Sequence, residues 1–271
     1  MTIKAKIICD SINPANERIT TWELEYHRFI HAEFMTHRDF SRNAASSRAI
    51  PIWKMIKHVW ANMAIPIHWG KKQSGMQADE EVNAFARNAG KAVWVFTGLF
   101  VSLMVLLMKG LGVHKQVANR MLEPWTHIKV VMTSTKYNNW FLLRDHPDAQ
   151  PEIRELAKQM RIELAANEPD KLAWGEWHLP YVTRSDRESY SLAELLKIST
   201  SCCAQVSYRV LDTSFSKANR IFHMLVKADV KHASPFEHPA QAVADSTGSG
   251  NFTGTQYEQY RLHLEKGLIQ P

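Results

Sequence analysis

Cysteine is scarce in this sequence, and its placement argues against a disulfide scaffold. Cys9, Cys202 and Cys203 are the only cysteines among 271 residues, and an odd number that includes an adjacent pair is a poor basis for disulfide pairing. A reducing compartment is the natural setting, so we expect a cytoplasmic protein. Cys202 and Cys203 lie in an apolar Ser/Thr/Cys segment without an obvious activating base, which favours core residues over nucleophiles.

The sequence also lacks the short motifs of several common enzyme classes. It contains no P-loop, no Gly-x-Gly-x-x-Gly loop and no Gly-x-Ser-x-Gly elbow, so nothing supports a P-loop NTPase, a Rossmann-type dinucleotide-binding fold or an α/β-hydrolase. His232 and His238 flank a proline at a spacing that is not typical of metal ligands, and no cysteine is close to them in sequence. We therefore expect no metal site.

Long hydrophobic runs and concentrated charge are missing as well. The segment 93–108 is almost wholly apolar but shorter than the ~20 residues that span a bilayer, so we expect a buried helix and no membrane association. The net charge of +6 suits a protein that handles anions. Because basic and aromatic residues are not concentrated in one segment, a nucleic-acid-binding protein is only a distant alternative.

The sequence does contain 45% hydrophobic residues, which is enough for a substantial core. β-Branched and aromatic segments predict strands over 3–9 and 19–29. Apolar periodicity and length predict helices over 79–109, 136–144, 151–166, 214–226 and 257–266. Since these elements do not alternate regularly as βαβ units, we expect an α+β fold, with a mixed or antiparallel sheet packed with long helices in one domain over 1–271.

The segment 36–48 concentrates side chains that suit phosphate binding. It contains Arg38, Arg42 and Arg48 together with three serines, an asparagine and a histidine. A guanidinium group can donate to two phosphate oxygens at once, and hydroxyl groups add further donors. The composition is compatible with a phosphate-binding loop, and the alternative is a solvated basic loop.

Two other polar segments have both a ligand-binding and a structural interpretation. Residues 231–238 place two histidines and Glu237 around a proline, which is compatible with a polar clamp for a ligand or with a turn that leads into a strand. On a helix over 136–144, Lys136, Asn139 and Arg144 share part of one face. The alternative there is an ordinary surface helix.

Taken together, these segments resemble the flavin-dependent thymidylate synthases. The spacing of the family's Arg-His-Arg signature and of the residues after it is matched by His37, Arg38, Ser41, Asn43, Ser46 and Arg48. Segment 232–238 is similar to the family's His-Glu-Thr-Pro-Phe-Glu-His block, and 204–208 to its Ala-x-Val-Ser-aromatic segment. The remaining family blocks are matched by Arg120, Pro124, Asn139, Arg144, Ala149, Gln150, Glu152 and Ile153.

The blocks occur here in a different linear order. In the family the Pro-Phe-Glu-His block precedes the Arg-His-Arg signature, whereas here the segment 232–238 follows 36–48. A circular permutation explains this order, because such rearrangements are tolerated where chain termini lie close together. The resemblance therefore implies the family's fold in circularly permuted form.

The resemblance also implies an activity. The family binds FAD and transfers a one-carbon unit from methylenetetrahydrofolate to C5 of a pyrimidine deoxynucleotide, with NADPH as the reductant of the flavin. The implied conversion is dUMP to dTMP, and the alternative is hydroxymethylation or another C5 modification of dUMP or dCMP on the same scaffold. The family is homotetrameric, with each site built from several subunits, so the same assembly is implied here.

Roles for individual residues follow from the same resemblance. Arg144 and Ser46 match catalytic positions. The nucleotide is expected to contact Glu33, Ser46, Ser47, Arg48, Arg120 and Arg144. The FAD site is expected to be lined by His37, Arg38, Asn43, Asn139, Ser207, His232, Ser234 and Glu237.

Several positions depart from the family's pattern. Thr36 replaces the first arginine of the signature, and Glu33 replaces a glutamine that usually contacts the substrate. Ala233 replaces a glutamate, and Thr133 and Thr135 replace an asparagine and an arginine. Because a carboxylate only accepts hydrogen bonds, a base-contacting Glu33 suits the amino group of cytosine better than the carbonyls of uracil. Alternatively, Glu33 pairs with a nearby arginine and never meets the base.

Overall fold

A long antiparallel pair of strands forms the centre of the structure. The computed structural model describes residues 3–206, 210–227 and 232–267, and in it β1 (Lys4–Ile12) pairs with β2 (Arg18–His27). The turn between them is fixed by Asn13, whose side-chain oxygen accepts hydrogen bonds from the backbone N–H groups of Ala15 at 3.0 Å and Glu17 at 2.9 Å. Both predicted strands are confirmed, with bounds shifted by a few residues.

Three further strands complete a five-stranded sheet. They are β3 (Ser41–Ala44), β4 (His127–Ser134) and β5 (Asp170–Lys171), and the order across the sheet is β3–β4–β2–β1–β5. The β1–β5 pair is parallel, whereas the other neighbouring pairs are antiparallel. The sheet is therefore mixed, and the predicted α+β class is confirmed.

The remaining elements surround this sheet or belong to a small second sheet with the order β6–β7–β8. Up to residue 166 the helices are α1 (His31–Phe34), α2 (Ile52–Ala61), α3 (Ala84–Gly110), α4 (Lys115–Ala118), α5 (Asn138–Arg144) and α6 (Pro151–Ala166). The second half contributes β6 (Trp177–His178), α7 (Arg184–Ser189), α8 (Leu192–Ala204), α9 (Phe215–Lys227), β7 (Ala240–Ala242), β8 (Tyr257–Gln259) and α10 (Tyr260–Glu265). Short 3-10 helices lie at Arg28–Ile30, Ser47–Ala49, Asn119–Trp125, Ser234–Glu237 and Gly250–Phe252.

Helix α6 covers one face of the central sheet. Its first residue is Pro151, which has no N–H to lose at that position. The apolar stripe of Ile153, Leu156 and Met160 is fully buried, and it shares one core cluster with Trp22 of β2. The helix predicted over 151–166 is confirmed at both ends.

The helix predicted over 257–266 is only partly correct. Its first three residues form β8, which pairs with β7 in the register Ala242↔Tyr257 and Ala240↔Gln259. Only Tyr260–Glu265 is helical. The pairing partner of β8 lies in another segment, so a local pattern of apolar residues did not reveal it.

The long apolar helix α3 is confirmed as a helix, but its burial within this chain was predicted wrongly. Only Gly98, Ser102 and Val105 are buried, and 17% of its most apolar window lies inside the structure. Phe96 is 70% exposed and Leu103 is 52% exposed. The helix packs by one narrow face against α2 and Asn119–Trp125, which leaves the rest of its apolar surface uncovered. By length and composition it could cross a membrane, although one such helix is weak evidence for that.

Candidate functional site

Two sequence blocks that are far apart in the chain meet at Arg144. The guanidinium Nε donates a hydrogen bond to Nε2 of His37 at 2.8 Å, and another guanidinium nitrogen forms an ion pair with Glu33. A third contact reaches the hydroxyl of Thr36 at 3.4 Å. Helix α5 ends at Arg144, while Glu33, Thr36 and His37 lie on α1 and the turn after it. The fold thus brings a predicted catalytic residue to a predicted flavin-site residue.

The imidazole of His37 is held neutral. Burial, assisted by the positive charges of Arg144 and Arg42, lowers the pKa of His37 to about 4. The ring stacks on Phe40 at 5.8 Å and meets the edge of Trp140 at 4.7 Å between ring centroids. A neutral ring is required here, because its Nε2 accepts the hydrogen bond from Arg144.

The remaining predicted flavin-site residues are only partly brought together. The 3-10 helix Ser234–Glu237 packs against β3, so the Pro-Phe-Glu-His block lies beside the Arg-His-Arg block. Asn43 is buried and donates to the carbonyl of Cys203 at 3.2 Å, and Glu237 forms an ion pair with Arg261 at 2.8 Å.

Other predicted flavin-site residues are more exposed and make fewer contacts. Arg38, Asn139 and His232 are exposed, and their side chains make no hydrogen bond within the described ranges. Ser234 is half-buried. Ser207 lies outside the described residues.

The predicted phosphate-binding residues divide into two groups. Ser47 donates to Oε1 of Glu123 at 2.6 Å, and Arg120 donates to the same oxygen at 3.0 Å. Ser46 is half-buried and Arg48 is exposed, and neither side chain makes a hydrogen bond to a described residue. The structure therefore joins Ser47 to Arg120 through a carboxylate that sequence reasoning did not single out.

A cleft of about 1540 Å³ opens beside Arg144 and Glu33. One wall is the start of α6, and another is the segment 66–79, which precedes α3. The buried carboxylate of Glu152 joins these walls, since it accepts a hydrogen bond from the backbone N–H of Ile67 at 2.9 Å. Aromatic rings of Phe29 and Trp94 also line the cleft. The lining combines these rings with many charged and polar side chains, and a concave site of this kind is a candidate for ligand binding.

All three cysteines are thiols with poor access to solvent. Cys202 and Cys203 are buried and Cys9 is partly exposed. Burial raises the pKa of Cys9 to about 11 and that of Cys202 to about 12. Since the thiolate is the reactive form, these groups are poor nucleophiles near neutral pH, and the burial of Cys202 and Cys203 agrees with their interpretation as core residues.

A line of hydrogen-bonded, buried side chains runs across β1, β2 and β4 on one face of the sheet. The hydroxyls of Thr21 and Thr133 lie opposite each other on β2 and β4 and are 2.7 Å apart. Thr21 also contacts Nε2 of His178 at 2.8 Å, and Thr133 contacts Nδ1 of His238 at 2.8 Å. At the far end, Nδ1 of His178 contacts the hydroxyl of Ser11 at 2.9 Å.

Both imidazoles in this line of hydrogen-bonded side chains, His178 and His238, are fully buried. Burial lowers the pKa of each of His178 and His238 to about 3, so both rings are neutral near neutral pH. Within the described part of the chain, no group of three or more His, Cys, Asp or Glu side chains is arranged to hold a metal ion.

The structure is an α+β fold with a candidate ligand site that is rich in arginine and histidine. The family described as "Thymidylate synthase complementing protein" matches residues 13–170, which is more than half of the chain. The chain belongs to this family, the flavin-dependent thymidylate synthases, and is a pyrimidine C5-modifying enzyme. No curated protein sequence gives a significant match.

Solved structures support the fold. A crystal structure of the UMP/dUMP methylase PolB from Streptomyces cacaoi bound with 5-Br UMP is 15% identical and superposes with a TM-score of 0.50, covering 60% of this chain and 89% of that one. The same enzyme bound with 5-Br dUMP is 16% identical with a TM-score of 0.49, covering 60% and 90%. At this level of identity, the first similarity concerns the fold alone, and the second carries no argument.

Proposed function

We propose that this enzyme transfers a one-carbon unit from methylenetetrahydrofolate to C5 of dUMP and so forms dTMP, with FAD as cofactor and NADPH as reductant. The observation that carries the proposal is the contact between Arg144 and His37. It joins two blocks of the family pattern that are widely separated in sequence, and it does so at the edge of a cleft large enough for a nucleotide.

The residues present fit a flavin. His37 offers a neutral ring beside Arg144, and the block that contains Ser234 and Glu237 packs against the strand that carries Asn43. Nε2 of His238 is buried without a hydrogen-bond partner among the described residues, which is a place for a ligand atom. FAD, when bound, supplies the redox chemistry, and these side chains would orient it and exclude water.

The nucleotide is the second ligand. We assign its phosphate to the group around Ser47 and Arg120, with Ser46 and Arg48 next to them in sequence, and its base to the neighbourhood of Arg144. The methylase from Streptomyces cacaoi acts on both UMP and dUMP by its description, so UMP belongs in the substrate comparison with dUMP and dCMP. Hydroxymethylation of dUMP or dCMP is the alternative activity on the same scaffold.

Assembly is part of the proposal. Exposed apolar side chains recur along α3 at intervals of three or four residues, at Phe96, Leu99, Leu103 and Leu107. Such spacing produces a seam that another helix can cover. We assign a second copy of this chain to that face, within a homotetramer that works in the cytoplasm.

Product identification tests the function. The purified protein is incubated with FAD, NADPH, methylenetetrahydrofolate and either dUMP, UMP or dCMP, and the products are identified by mass. We expect a flavin spectrum in the purified protein and dTMP from dUMP. A product heavier than dTMP by one oxygen would favour the hydroxymethyl alternative, and an intact protein that binds no flavin would refute the proposal.

Arg144→Lys tests the role of this arginine, because it keeps the charge but loses the bidentate geometry. We expect dTMP formation to fall by at least about tenfold in this variant. Arg184→Lys on α7 makes the same chemical change at a side chain that is 96% exposed and should leave turnover close to that of the unaltered protein.

A further inference from the structure

Three hydrogen-bond donors from three chain segments meet at a single oxygen. Oε1 of Glu123 accepts from the hydroxyl of Ser47 at 2.6 Å and from Arg120 at 3.0 Å. Nε of Arg28 lies 3.3 Å from the same oxygen. Of these residues, the sequence pattern assigned only Ser47 and Arg120 to nucleotide binding.

Two of the three donors, Arg28 and Ser47, belong to segments that are held in place by contacts other than those with Glu123. The backbone N–H of Arg28 donates to the carbonyl of Thr126 at 2.9 Å, and a terminal guanidinium nitrogen of Arg28 donates to the carbonyl of Ala45 at 3.3 Å. The side chain of Asn119 donates to the carbonyls of Ser47 and Ile50, both at 2.8 Å. Arg28 and Ser47 are therefore largely preorganised.

The charges do not balance within this cluster. Two guanidinium groups face one carboxylate, and the side chain of Arg28 is only 13% exposed. Burial lowers the pKa of Arg28, and the negative charge of Glu123 opposes that shift. A buried arginine requires an anionic partner, and a phosphate monoester offers three terminal oxygens where the carboxylate uses one.

We propose that Arg28, Ser47 and Arg120 form the phosphate subsite of the nucleotide, and that the carboxylate of Glu123 is an internal ligand which the phosphate displaces. The proposal rests on the proposed function, because it takes a nucleotide monophosphate as the ligand. It adds Arg28 as a phosphate-binding residue and gives Glu123 a role as a competitor. The side chain of Glu123 is 24% exposed, so it can turn towards solvent when phosphate enters.

A purely structural ion pair predicts a different response to mutation. If Glu123 only stabilises the fold, Glu123→Gln lowers the unfolding free energy and leaves ligand affinity unchanged or weaker. If Glu123 competes with phosphate, the same variant binds phosphorylated ligands more tightly, because glutamine carries no charge to repel them and its amide can donate to them. Ligands without phosphate are unaffected.

The test is calorimetric titration of the flavin-loaded protein with dUMP, deoxyuridine and inorganic phosphate. We expect Glu123→Gln to bind dUMP and phosphate about tenfold more tightly, equivalent to ~1.4 kcal/mol, with deoxyuridine unchanged. Arg28→Gln should weaken dUMP binding by at least about tenfold and leave deoxyuridine unchanged. Glu163→Gln, on the exposed side of α6, is the control for loss of one carboxylate.

The outcomes separate this inference from the proposed function. Unchanged or weaker dUMP binding by a folded Glu123→Gln variant, or an equal change for dUMP and deoxyuridine, overturns the inference even where dTMP is formed. If the unaltered protein forms no dTMP but both variants respond as expected, the proposed reaction fails and the phosphate subsite stands. Should Arg28→Gln not fold, Glu123→Gln decides alone, with retained flavin content as its folding check.

Discussion

Glu33 illustrates how one altered residue is accommodated at the site. The sequence left open whether this carboxylate contacts the base or pairs with an arginine. In the structure it pairs with Arg144, an arginine from a distant block rather than from its own segment. The base-contact interpretation therefore loses its support, because the carboxylate already has a cationic partner.

Replacement of Glu33 by Gln tests this pairing. We expect the unfolding free energy to fall by up to about 1 kcal/mol, since the pair is partly exposed to solvent, while the turnover ratio of dCMP to dUMP stays the same. Denaturant unfolding and a competition assay give the two values. A shift of the ratio towards dUMP in a stable variant would restore the base-contact interpretation.

The cysteines lead to a second prediction at this scale. Replacing Cys9 by Ser, and Cys202 and Cys203 by Ala, should preserve measurable dTMP formation, because burial raises the pKa of these thiols. The unfolding free energy should fall by about 1–3 kcal/mol, since the pair on α8 is buried and packed. Complete loss of turnover in a folded, flavin-loaded variant would show that a cysteine takes part in the reaction.

Sequence reasoning was most useful for residues with a distinctive spacing. The pattern singled out His37 and Arg144, which the fold brings together. It could not find Arg28 or Glu123, because neither stands out in its own segment and their contact is made only when β2 and β4 pair. The cleft wall formed by the segment 66–79 was also unrecognised, because its contact with the start of α6 joins residues that are far apart in sequence.

At the scale of elements, three histidines join β2, α2 and β4. The rings of His27 and His127 are 4.9 Å apart, and those of His58 and His127 are 5.7 Å apart. The backbone N–H of His127 donates to Nε2 of His58 at 3.3 Å, which requires that nitrogen to be unprotonated. Burial lowers the pKa of His27 to about 4 and that of His127 to about 3.

This cluster should make the fold sensitive to acid. The unfolded chain binds protons at these rings below about pH 6.5, whereas in the folded protein burial keeps His27 and His127 unprotonated down to about pH 4. The unfolding free energy should therefore fall as the pH drops through that window, by up to about 1.4 kcal/mol per pH unit for each ring.

The variant His127→Phe should show a shallower decline in unfolding free energy between pH 6.5 and pH 4, measured by denaturant unfolding at several pH values. His223→Phe, on α9 and away from the cluster, is the matched control. Equal slopes for the two variants would remove the cluster as a cause of acid sensitivity.

Helix α3 is held against its neighbours at Gly98. A Cβ atom there would lie 2.7 Å from Cδ1 of Trp125 and 2.8 Å from Cε of Met63, so we expect Gly98→Ala to lower the unfolding free energy by about 1–3 kcal/mol. At Gly110 a Cβ atom meets nothing within 4 Å, so Gly110→Ala should be neutral or stabilising by up to about 1 kcal/mol. Denaturant unfolding distinguishes the two, and similar effects would contradict the close packing.

The elements that could be predicted are those whose signals are local. The bounds of α6 follow from Pro151 and a regular apolar stripe, and both are readable in the sequence. The strand β4 was not recognised, although it lies between β2 and β3, because it is buried over most of its length and lacks an alternating pattern. Strand β8 depends on pairing with β7, which no local pattern encodes.

At the scale of the whole molecule, the uncovered face of α3 is the feature that a single chain does not explain. The assignment of a second copy to this face predicts that the protein is an oligomer and that Phe96→Glu or Leu103→Glu lowers its mass in light scattering. Burying an unpaired carboxylate in an apolar seam is unfavourable, which is why the effect should be large.

Ile162→Glu is the control for this experiment, because Ile162 is 58% exposed on a different helix, α6. Its variant should keep the mass of the unaltered protein. A monomeric unaltered protein, or an oligomer that survives both substitutions on α3, would contradict the assignment. The single domain over 1–271 and the circular permutation stay predictions, and limited proteolysis would test the first of them.

The hydrogen-bonded side chains that connect Ser11 to His238 determine where protons can reside. Each threonine hydroxyl carries one hydrogen, so Thr21 and Thr133 must donate in the same direction along the chain. If they donate towards His178, both imidazoles carry their hydrogen on Nδ1; if they donate towards His238, both carry it on Nε2. The two rings therefore share one tautomer, and a ligand that engages Nε2 of His238 selects the tautomer of His178 through the two threonine hydroxyls.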